Sequence, residues 1–415
     1  MAVGELIPLE EALERLRAEL PEGALGAEAV GLEEASGRVL AEAVEAEEEL
    51  PAFDRSTMDG FAVRAADVAA AAPGHPVRLR LAGEVRVGEP AGLSLDAGEA
   101  AAVPTGGALP AGADAVVPVE ATRAEAGGVE ILAAVAAGEN VAARASDVRP
   151  GQALLPAGHR LRPQDCGLLA ALGRLRVRVA RRPAVAVLAT GNEVVPADRR
   201  PAPGQIRDAN SWSLVAALRA DGLRAEYLGV TRDDEEAIRQ TLASALGRFD
   251  AVLVSGGSSV GARDLTQGAV ASLARVVVHG VAIKPGKPAL FAVAGRKLLV
   301  GLPGHPVSAL TIYRLMVRPL LRHLEGGLAA WPQPGLRARL AGPVRAPRER
   351  DAMISVRLEP PEAGGDAGGG PRLVARPLRT SSAHLSSLVL ADGMIRVPRG
   401  AELEAGREVE VIPFD

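Results

Sequence analysis

The chain has 415 residues, which is too long for one ordinary hydrophobic core and therefore predicts several domains. A net charge of −4 and an aromatic content of only 2% exclude a basic nucleic-acid surface and stacking platforms for single strands. The single cysteine, Cys166, excludes an internal disulfide framework and a cysteine-rich zinc site.

Neither a secretory signal nor an apolar run near the ~18 residues of a membrane span occurs in the sequence. We therefore expect a cytoplasmic protein with no membrane and no nucleic-acid partner.

The first part of the chain combines helical and β-rich sequence. Residues 8–20 carry leucines at the spacing of one helical face. From about 55 to 150, short apolar runs are broken every eight to twelve residues by Gly, Pro and Asp turns, which is typical of a small β-rich domain. Residues 163–173 again predict a helix.

The second part of the chain alternates buried strands with helices. Strands are expected at 184–189, 225–230 and 251–254, and helices at 211–220 and 233–246. This alternation predicts a doubly wound, mostly parallel sheet. Beyond Trp331, short apolar runs are again separated by turn residues, which predicts a small β domain at the end of the chain.

The predicted fold class is therefore multidomain α/β plus β. Its four predicted domains are a helical linking domain (1–54 with 150–180), a β-rich insertion domain (55–149), a central α/β domain (181–326) and a C-terminal β domain (327–415).

Three polar loops follow strands of the predicted parallel sheet, where such sheets bind ligands. They are TGNEV (190–194), SGGSSVGARD (255–264) and GLPGHPVSA (301–309). The second loop has no bulky side chain to keep an anion from the backbone N–H groups, although a tight strand-to-helix turn would use the same residues. It is not a Walker-type phosphate loop, because no Gly-Lys-Ser/Thr follows.

Carboxylates accompany these loops. Glu193 ends the first loop, Asp264 ends the second, and Asp233 or Asp234 begins a helix between them. Each alone could be a solvated surface residue. Together, beside a phosphate-binding loop, they predict a Mg²⁺ site.

Lysine is rare in this chain, with only three among the 47 basic residues. Lys284 and Lys287 lie three residues apart in IKPGKP, and Lys297 lies in GRKLLV. Because a compact ammonium and a planar guanidinium are not interchangeable, we expect the pair to bind an oxyanion. Chance placement in a surface turn is the alternative.

The β-rich domain contains a second polar set. STMDGFAVR (56–64) and VPTGGALPAGADAVVPVE (103–120) have the pattern of strands joined by tight turns. On physical grounds alone, Asp59, Thr105 and Asp147 could be turn formers.

Taken in order, these motifs resemble those of the molybdopterin molybdenumtransferase family, to which the C-terminal part of gephyrin also belongs. The motifs are MDGFAVR, PTGG with LPAGADAVV, ATGNE, GQIRDAN, SGGSSVGARD, AIKPGKP and GLPGHPVSAL, and they cover nearly the whole chain. The resemblance implies four domains in an elongated, L-shaped homodimer. It also implies Mg²⁺-assisted insertion of molybdate into adenylylated molybdopterin, with release of AMP.

The resemblance also implies site residues. The functional carboxylates and hydroxyl fall on Asp59, Thr105, Asp147, Glu193, Asp233 and Asp264, of which Glu193 and Asp264 would hold the metal. The substrate-binding set falls on Ser255, Gly256, Gly257, Ser259, Lys284, Lys287, Pro288, Pro303, Pro306, Ser308, Arg350 and Ser382. In the family's dimer the β insertion of one subunit faces the α/β cleft of the other, so the two sets would form a composite site.

The sequence departs from the family pattern at several positions. His305 stands where the family usually has Asn, and Gly280 where it often has Lys. Residues 142–147, AARASD, replace an Arg-Arg-x-Gly-Glu-Asp run, and RDAMISVR (350–357) lacks the usual Phe and one Arg. These departures concern substrate contacts more than the reaction.

Two other functions remain open at this point. One is nucleotidyl transfer onto the pterin, as in the related adenylyltransferase, a possible upstream partner; the β domains at both ends of the chain argue against it. The other is a non-catalytic scaffold, as gephyrin's membership allows. The sequence does not distinguish molybdate from tungstate.

Overall fold

The chain forms two compact units in its computed structural model, which describes residues 6–21, 25–256, 265–326, 335–360, 373–378 and 381–414. Unit 1 comprises Met1–Ala29, Gly37–Ala41 and Arg178–Asp415, and unit 2 comprises Val30–Ser36 and Glu42–Val177. The finer division into four domains stays a prediction.

The described residues contain both helices and strands. The α-helices are α1 (Leu9–Glu19), α2 (Leu32–Ala35), α3 (Ala65–Val68), α4 (Pro163–Ala171), α5 (Asn210–Ala220), α6 (Glu235–Arg248), α7 (Leu265–Leu273), α8 (Pro306–Ile312), α9 (Arg318–Glu325) and α10 (Leu385–Val389). A π-helical turn, Tyr313–Val317, joins α8 to α9.

The strands of the first half are β1 (Ala27–Gly31), β2 (Val44–Glu45), β3 (Arg55–Ser56), β4 (Gly60–Val63), β5 (Val77–Glu84), β6 (Glu99–Val103), β7 (Ala115–Pro118), β8 (Thr122–Glu125), β9 (Gly128–Ile131), β10 (Val141–Ala142), β11 (Ala153–Leu155) and β12 (Arg176–Ala180). Those of the second half are β13 (Ala184–Thr190), β14 (Val194–Val195), β15 (Ile206–Arg207), β16 (Arg224–Thr231), β17 (Ala251–Ser255), β18 (Arg275–His279), β19 (Ile283–Lys284), β20 (Leu290–Ala294), β21 (Lys297–Leu302), β22 (Leu336–Leu340), β23 (Val344–Arg345), β24 (Asp351–Glu359), β25 (Leu373–Pro377), β26 (Gly393–Val397), β27 (Glu402–Leu403) and β28 (Glu408–Pro413).

Unit 2 is built on a six-stranded sheet in the order β7-β4-β6-β5-β9-β8, antiparallel except for the β5–β6 pair. Val63, Val117, Val129 and Ile131 are completely buried on one face. The β-rich insertion predicted from the turn punctuation is therefore confirmed.

The central sheet of unit 1 has the order β16-β13-β17-β21-β20-β18. The strands β16, β13, β17 and β21 are parallel, and β20 pairs antiparallel with both of its neighbours, β21 and β18. The predicted doubly wound, mostly parallel sheet is confirmed.

Helices cover both faces of this sheet. Because side chains alternate along a strand, neighbouring residues of β13 pack into different cores. Val185 and Val187 of β13 pack in the core that contains α1, α5, α8 and α9. Ala186 and Leu188 pack in the core that contains α6 and α7. A strand buried on both faces needs a continuous apolar run, which is why β13 has the sequence AVAVLA.

A carboxylate anchors the beginning of β13. Arg181 donates two hydrogen bonds of 2.9 Å to Asp250, which also accepts from the backbone N–H of Ala184 at 2.8 Å. Burial raises the pKa of Asp250, but the bonds from Arg181 and Ala184 outweigh it, so the pKa lies below its usual value. The ionised form of Asp250 therefore stabilises unit 1.

The C-terminal part of unit 1 is a β barrel. The strands β24, β25, β22, β28 and β26 pair in that order, and β26 pairs with β24 to close the ring. Strand β19 lies parallel to the first residues of β24, pairing Ile283 with Asp351 and Lys284 with Ala352. The predicted C-terminal β domain is confirmed.

No helix in the described residues is long and apolar enough to cross a bilayer.

Candidate active site

The carboxyl ends of β13 and β17, where an open parallel sheet has its ligand crevice, are the candidate ligand site of the central sheet. These strands are neighbours, yet the helices that follow them, α5 and α7, pack on opposite faces of the sheet. A topological switch point of this kind is where open parallel sheets bind ligands. Thr190 and Ser255 are the last residues of β13 and β17 at this edge of the sheet.

Close backbone approach explains the glycines in these loops. Gly256 has φ +107°, and a Cβ on it would collide with the carbonyl oxygen of Thr190. Its N–H donates to the carbonyl of Leu302 at 3.3 Å, and a Cβ on Gly304 would lie 3.9 Å from Gly256 Cα. Glycine therefore brings the ends of β13, β17 and β21 together.

Asn210, the first residue of α5, joins two of these loops. Its Nδ2 donates to the Ser255 hydroxyl at 2.9 Å and to the Gly304 carbonyl at 2.8 Å. Asn210 was not among the site residues expected from sequence. The only available signal was its place at the end of the GQIRDAN motif.

The carboxylates expected beside the crevice take different roles. Asp233 and Asn192 exchange hydrogen bonds of 3.2 and 3.3 Å between backbone and side chain, which ties the start of the α6 turn to the loop carrying Glu193. Asp234, by contrast, caps α6 by accepting from the N–H of Ala237 at 2.7 Å. Of the two aspartates left open by the sequence, Asp233 faces the site loop and Asp234 is a helix cap.

Three expected site residues, Gly257, Ser259 and Asp264, lie outside the described residues. Within the described part of the chain, no group of three or more His, Cys, Asp or Glu side chains could hold a metal. Glu193 and Asp233 remain as exposed carboxylates beside the crevice.

The lysine turn lies between the central sheet and the barrel of unit 1. Gly286, at φ +124°, leaves no room for a side chain against Ile312 of α8. Lys284 is exposed and Lys287 is half-buried, and neither forms an ion pair within the residues the structure describes. Ile283 of β19 pairs with Asp351 of β24, and Arg350 is the residue immediately before Asp351. Pro288 continues the same turn.

The loop before α8 is fixed by the segment that carries Ser382. The Ser382 hydroxyl lies 2.9 Å from Nδ1 of His305, and its carbonyl accepts from the N–H of Val307 at 3.2 Å. Ser308 is buried at 5% exposure in the first turn of α8. The flanking prolines are Pro303, which is buried, and Pro306, the first residue of the helix.

In unit 2, Asp59 and Thr105 meet. Asp59 Oδ1 accepts from the Thr105 N–H at 2.7 Å and from its hydroxyl at 2.9 Å. These two bonds, the backbone one first, lower the pKa of Asp59. The remaining oxygen, Oδ2, carries charge at an exposed position.

Asp147, the third expected residue of unit 2, lies in an exposed turn. Its N–H donates to Leu50 at 3.0 Å, and the N–H of Arg144 donates to Asp54 at 2.7 Å. Ala145 has the left-handed φ of +57°, a conformation that costs an alanine free energy.

The chain resembles known proteins along nearly its whole length. Its family matches are the MoeA N-terminal region (domain I and II) at residues 7–173, the "Probable molybdopterin binding domain" at 186–323 and the MoeA C-terminal region (domain IV) at 337–414. A molybdopterin molybdenumtransferase of Synechococcus elongatus is 35% identical, covering 98% of this chain and 99% of its own. One from Nostoc sp. is 33% identical, covering 79% of this chain and 76% of its own.

Solved structures give the same result. A molybdopterin biosynthesis MoeA protein from Pyrococcus horikoshii OT3 superposes with a TM-score of 0.84 and 30% identity. A second structure of a MoeA protein from that species gives 0.78 and 36% identity. Each covers 99% of this chain and 100% of its own.

Proposed function

Because the chain belongs to the molybdopterin molybdenumtransferase family and is a transferase of molybdenum cofactor biosynthesis, we propose that it inserts molybdate into adenylylated molybdopterin and releases AMP. The observation that carries the proposal is the meeting of the ends of β13, β17 and β21 at the switch point, where Gly256 allows close backbone approach and Asn210 bonds to Ser255 and Gly304. The proposed substrate carries phosphates, and ligands of such sheets bind at the carboxyl ends of the strands at a switch point.

The cations of the lysine turn would bind the oxyanion. Lys284 and Lys287 have no carboxylate partner among the described residues, so their charge is available to a ligand. An ammonium forms strong charge-assisted hydrogen bonds with an oxyanion and is compact enough for a small tetrahedral one. Arg350, the residue immediately before β24, would add a third cation.

Glu193 and Asp233 would supply carboxylates for a Mg²⁺ site, and Asp264, which lies outside the described residues, is expected from sequence to supply another. Mg²⁺ is usually held by one or two carboxylates plus the substrate's phosphates, and these two side chains are exposed at the crevice. When bound, Mg²⁺ would neutralise charge on the phosphoanhydride. A carboxylate that is not engaged with metal can accept the proton of the attacking water as the phosphorus–oxygen bond to AMP breaks.

The active site is proposed to be shared between the subunits of a homodimer. Two apolar side chains beside Asp59 in unit 2 are exposed: Met58, the preceding residue, at 39%, and Val119, whose N–H donates to the Asp59 carbonyl, at 51%. In unit 1, Ile206 of β15 and Trp212 in the first turn of α5 are exposed. Exposed apolar residues beside both polar sets support a docking surface at each.

Product analysis tests the reaction. The protein is incubated with adenylylated molybdopterin, Mg²⁺ and molybdate, then with tungstate in place of molybdate, and AMP and protein-bound metal are measured. We expect AMP release with molybdenum retained on the pterin. Adenylylated pterin accumulating from ATP and molybdopterin would instead establish the adenylyltransferase alternative, and no turnover of either substrate would favour a scaffold.

Neighbouring aspartates provide a matched pair of variants. Asp233→Asn should abolish AMP release, because it removes a charge beside the crevice. Asp234→Asn should retain it, because Asn caps a helix about as well as Asp. Equal activity of the two variants would remove Asp233 from the site.

Mixed dimers test the shared site. Chains carrying Asp59→Ala are mixed with chains carrying Glu193→Ala, and mass analysis verifies heterodimers. One of the two sites in a heterodimer then keeps both groups, so partial activity should return. Heterodimers that form but stay inactive would mean that each site is built within one chain.

A further inference from the structure

The GQIRDAN motif has no role in the proposed reaction, yet its last residue contacts two loops of the crevice. Asn210 begins α5, and its partners Ser255 and Gly304 lie at the ends of β17 and β21. An amide nitrogen carries two hydrogens, and both are used here. The side chain therefore fixes the distance between two loops that come from different strands.

The start of α5 is itself anchored, so that Asn210 has little freedom. Asp208 is buried at 4% exposure and accepts from the N–H of Ser211 at 3.0 Å and from the Tyr227 hydroxyl at 2.8 Å. Burial, together with Asp208, raises the pKa of Tyr227. The phenol therefore stays protonated and keeps donating to Asp208, which holds the first turn of α5 against β16.

The bond from Asn210 also determines what the Ser255 hydroxyl can do. Its oxygen accepts from Asn210, and at 4% exposure its own hydrogen has no acceptor among the described residues. The hydroxyl of Thr190 is close to Gly256, since a Cβ built on Gly256 would lie 3.1 Å from its Oγ1. This hydroxyl is completely buried and also has no hydrogen-bond partner among the described residues. Buried hydroxyls without acceptors are costly unless a ligand supplies one.

We propose that Asn210 is a positioning residue for the substrate: it holds the 255–256 and 303–305 loops together and orients the Ser255 hydroxyl to donate to an anionic oxygen of the pterin's phosphate. This inference rests on the proposed function, because it needs molybdopterin to occupy the switch-point crevice. Asn210 does not touch the reacting atoms and acts through Ser255 and Gly304.

Three variants separate positioning from folding. Asn210→Asp keeps the shape but replaces both donor hydrogens with a carboxylate oxygen that faces the Gly304 carbonyl. Ser255→Ala removes the hydroxyl and leaves the bond from Asn210 to Gly304 possible. Ser211→Ala is the matched control, since Ser211 is the next residue of the same helix, is buried, and has a hydroxyl with no partner in the described residues.

The experiment measures the Kd for molybdopterin, kcat and KM for AMP release, and the melting temperature of the intact protein. We expect Asn210→Asp to raise Kd and KM about tenfold, with kcat within about threefold of wild type, because it disturbs binding of an anionic group present throughout the reaction. Ser211→Ala should stay within about twofold in all three constants. Asn210→Asp added to Ser255→Ala should weaken binding less than it does alone, because the two residues act together.

Wild-type Kd in folded Asn210→Asp, or effects of Asn210→Asp and Ser255→Ala that multiply independently, would overturn the inference. If Asn210→Asp does not fold, an unchanged Kd for Ser255→Ala overturns it equally. Failure of the wild-type protein to bind molybdopterin would instead overturn the proposed function, and the inference with it.

Discussion

Replacing Ala145 by glycine should stabilise unit 2, although glycine usually destabilises a folded chain. Ala145 has φ +57°, and the left-handed conformation costs a residue with a Cβ about 1–2 kcal/mol. Glycine adopts it freely but loses about 0.5–1 kcal/mol through the greater entropy of its unfolded state. The methyl group of Ala145 is only partly buried, so its removal costs little, and the net gain should be about 0.5 kcal/mol.

Ala143, two residues earlier, supplies the matched control. It is exposed and its φ is not in the left-handed region, so Ala143→Gly has only the entropic cost, about 0.5–1 kcal/mol. For a unit of this size 1 kcal/mol corresponds to about 2–4 °C in melting temperature. Scanning calorimetry should therefore show the transition of unit 2 rising by about 1–2 °C in Ala145→Gly and falling in Ala143→Gly.

Equal decreases in melting temperature for Ala145→Gly and Ala143→Gly would mean that Ala145 has no backbone strain in solution, and would contradict the prediction. The backbone bonds of this turn do not involve the side chain. The N–H of Ala145 donates to Pro51 at 2.9 Å in either protein. A gain in stability would therefore report the dihedral angle and not a new contact.

Lys287→Gln should weaken molybdate binding by about 1–3 kcal/mol in calorimetry at fixed ionic strength. Lys297→Gln should leave it unchanged, since Lys297, the first residue of β21, donates to the backbone carbonyl of Leu246 in α6. Lys287→Arg should not restore full affinity, because a planar guanidinium does not replace a compact ammonium. Wild-type molybdate affinity in Lys287→Gln would show that the lysine turn is a surface turn without a role in binding. Thr105→Val removes one of two bonds to Asp59, so NMR titration should show the pKa of Asp59 rising towards its ordinary value and the acid limb of activity moving to higher pH; an unmoved pKa contradicts this. Asp250→Asn should cost unit 1 about 1–3 kcal/mol at neutral pH. Because the pKa of Asp250 is depressed, its contribution to the stability of unit 1 should be complete above the pKa of the unfolded state, about 4, and be lost as pH falls below it. A loss of stability in Asp250→Asn that persists unchanged in acid would contradict this.

The secondary structure was predictable because burial leaves a local pattern. A strand covered on both faces, such as β13, must be a continuous apolar run, and a helix covered on one face repeats its leucines every three or four residues, as α1 does. The turn-rich composition of residues 55–149 predicted a β domain for a similar reason, since segments rich in Gly and Pro, such as 88–92 and 104–112, separate its strands.

The pairs that build the site have no such local pattern. Asp59 and Thr105 are 46 residues apart, and His305 and Ser382 are 77 residues apart. Each pair requires a sheet register or a loop path that spacing along the chain does not determine. Asp233 and Asp234 show the same limit at close range, because either could cap a helix and only the backbone conformation decides which one does.

Strand order accounts for the omission of Asn210 from the expected site. The sequence predicts parallel strands but not that β16 lies at the edge, outside β13, while β17 and β21 continue on the other side. That reversal creates the switch point and directs α5 and α7 to opposite faces. It also brings the first residue of α5 to partners 45 and 94 residues away. A glycine-rich loop can be recognised in a sequence because it is contiguous, but the side chain that fixes such a loop in place belongs to whichever helix the strand order puts beside it.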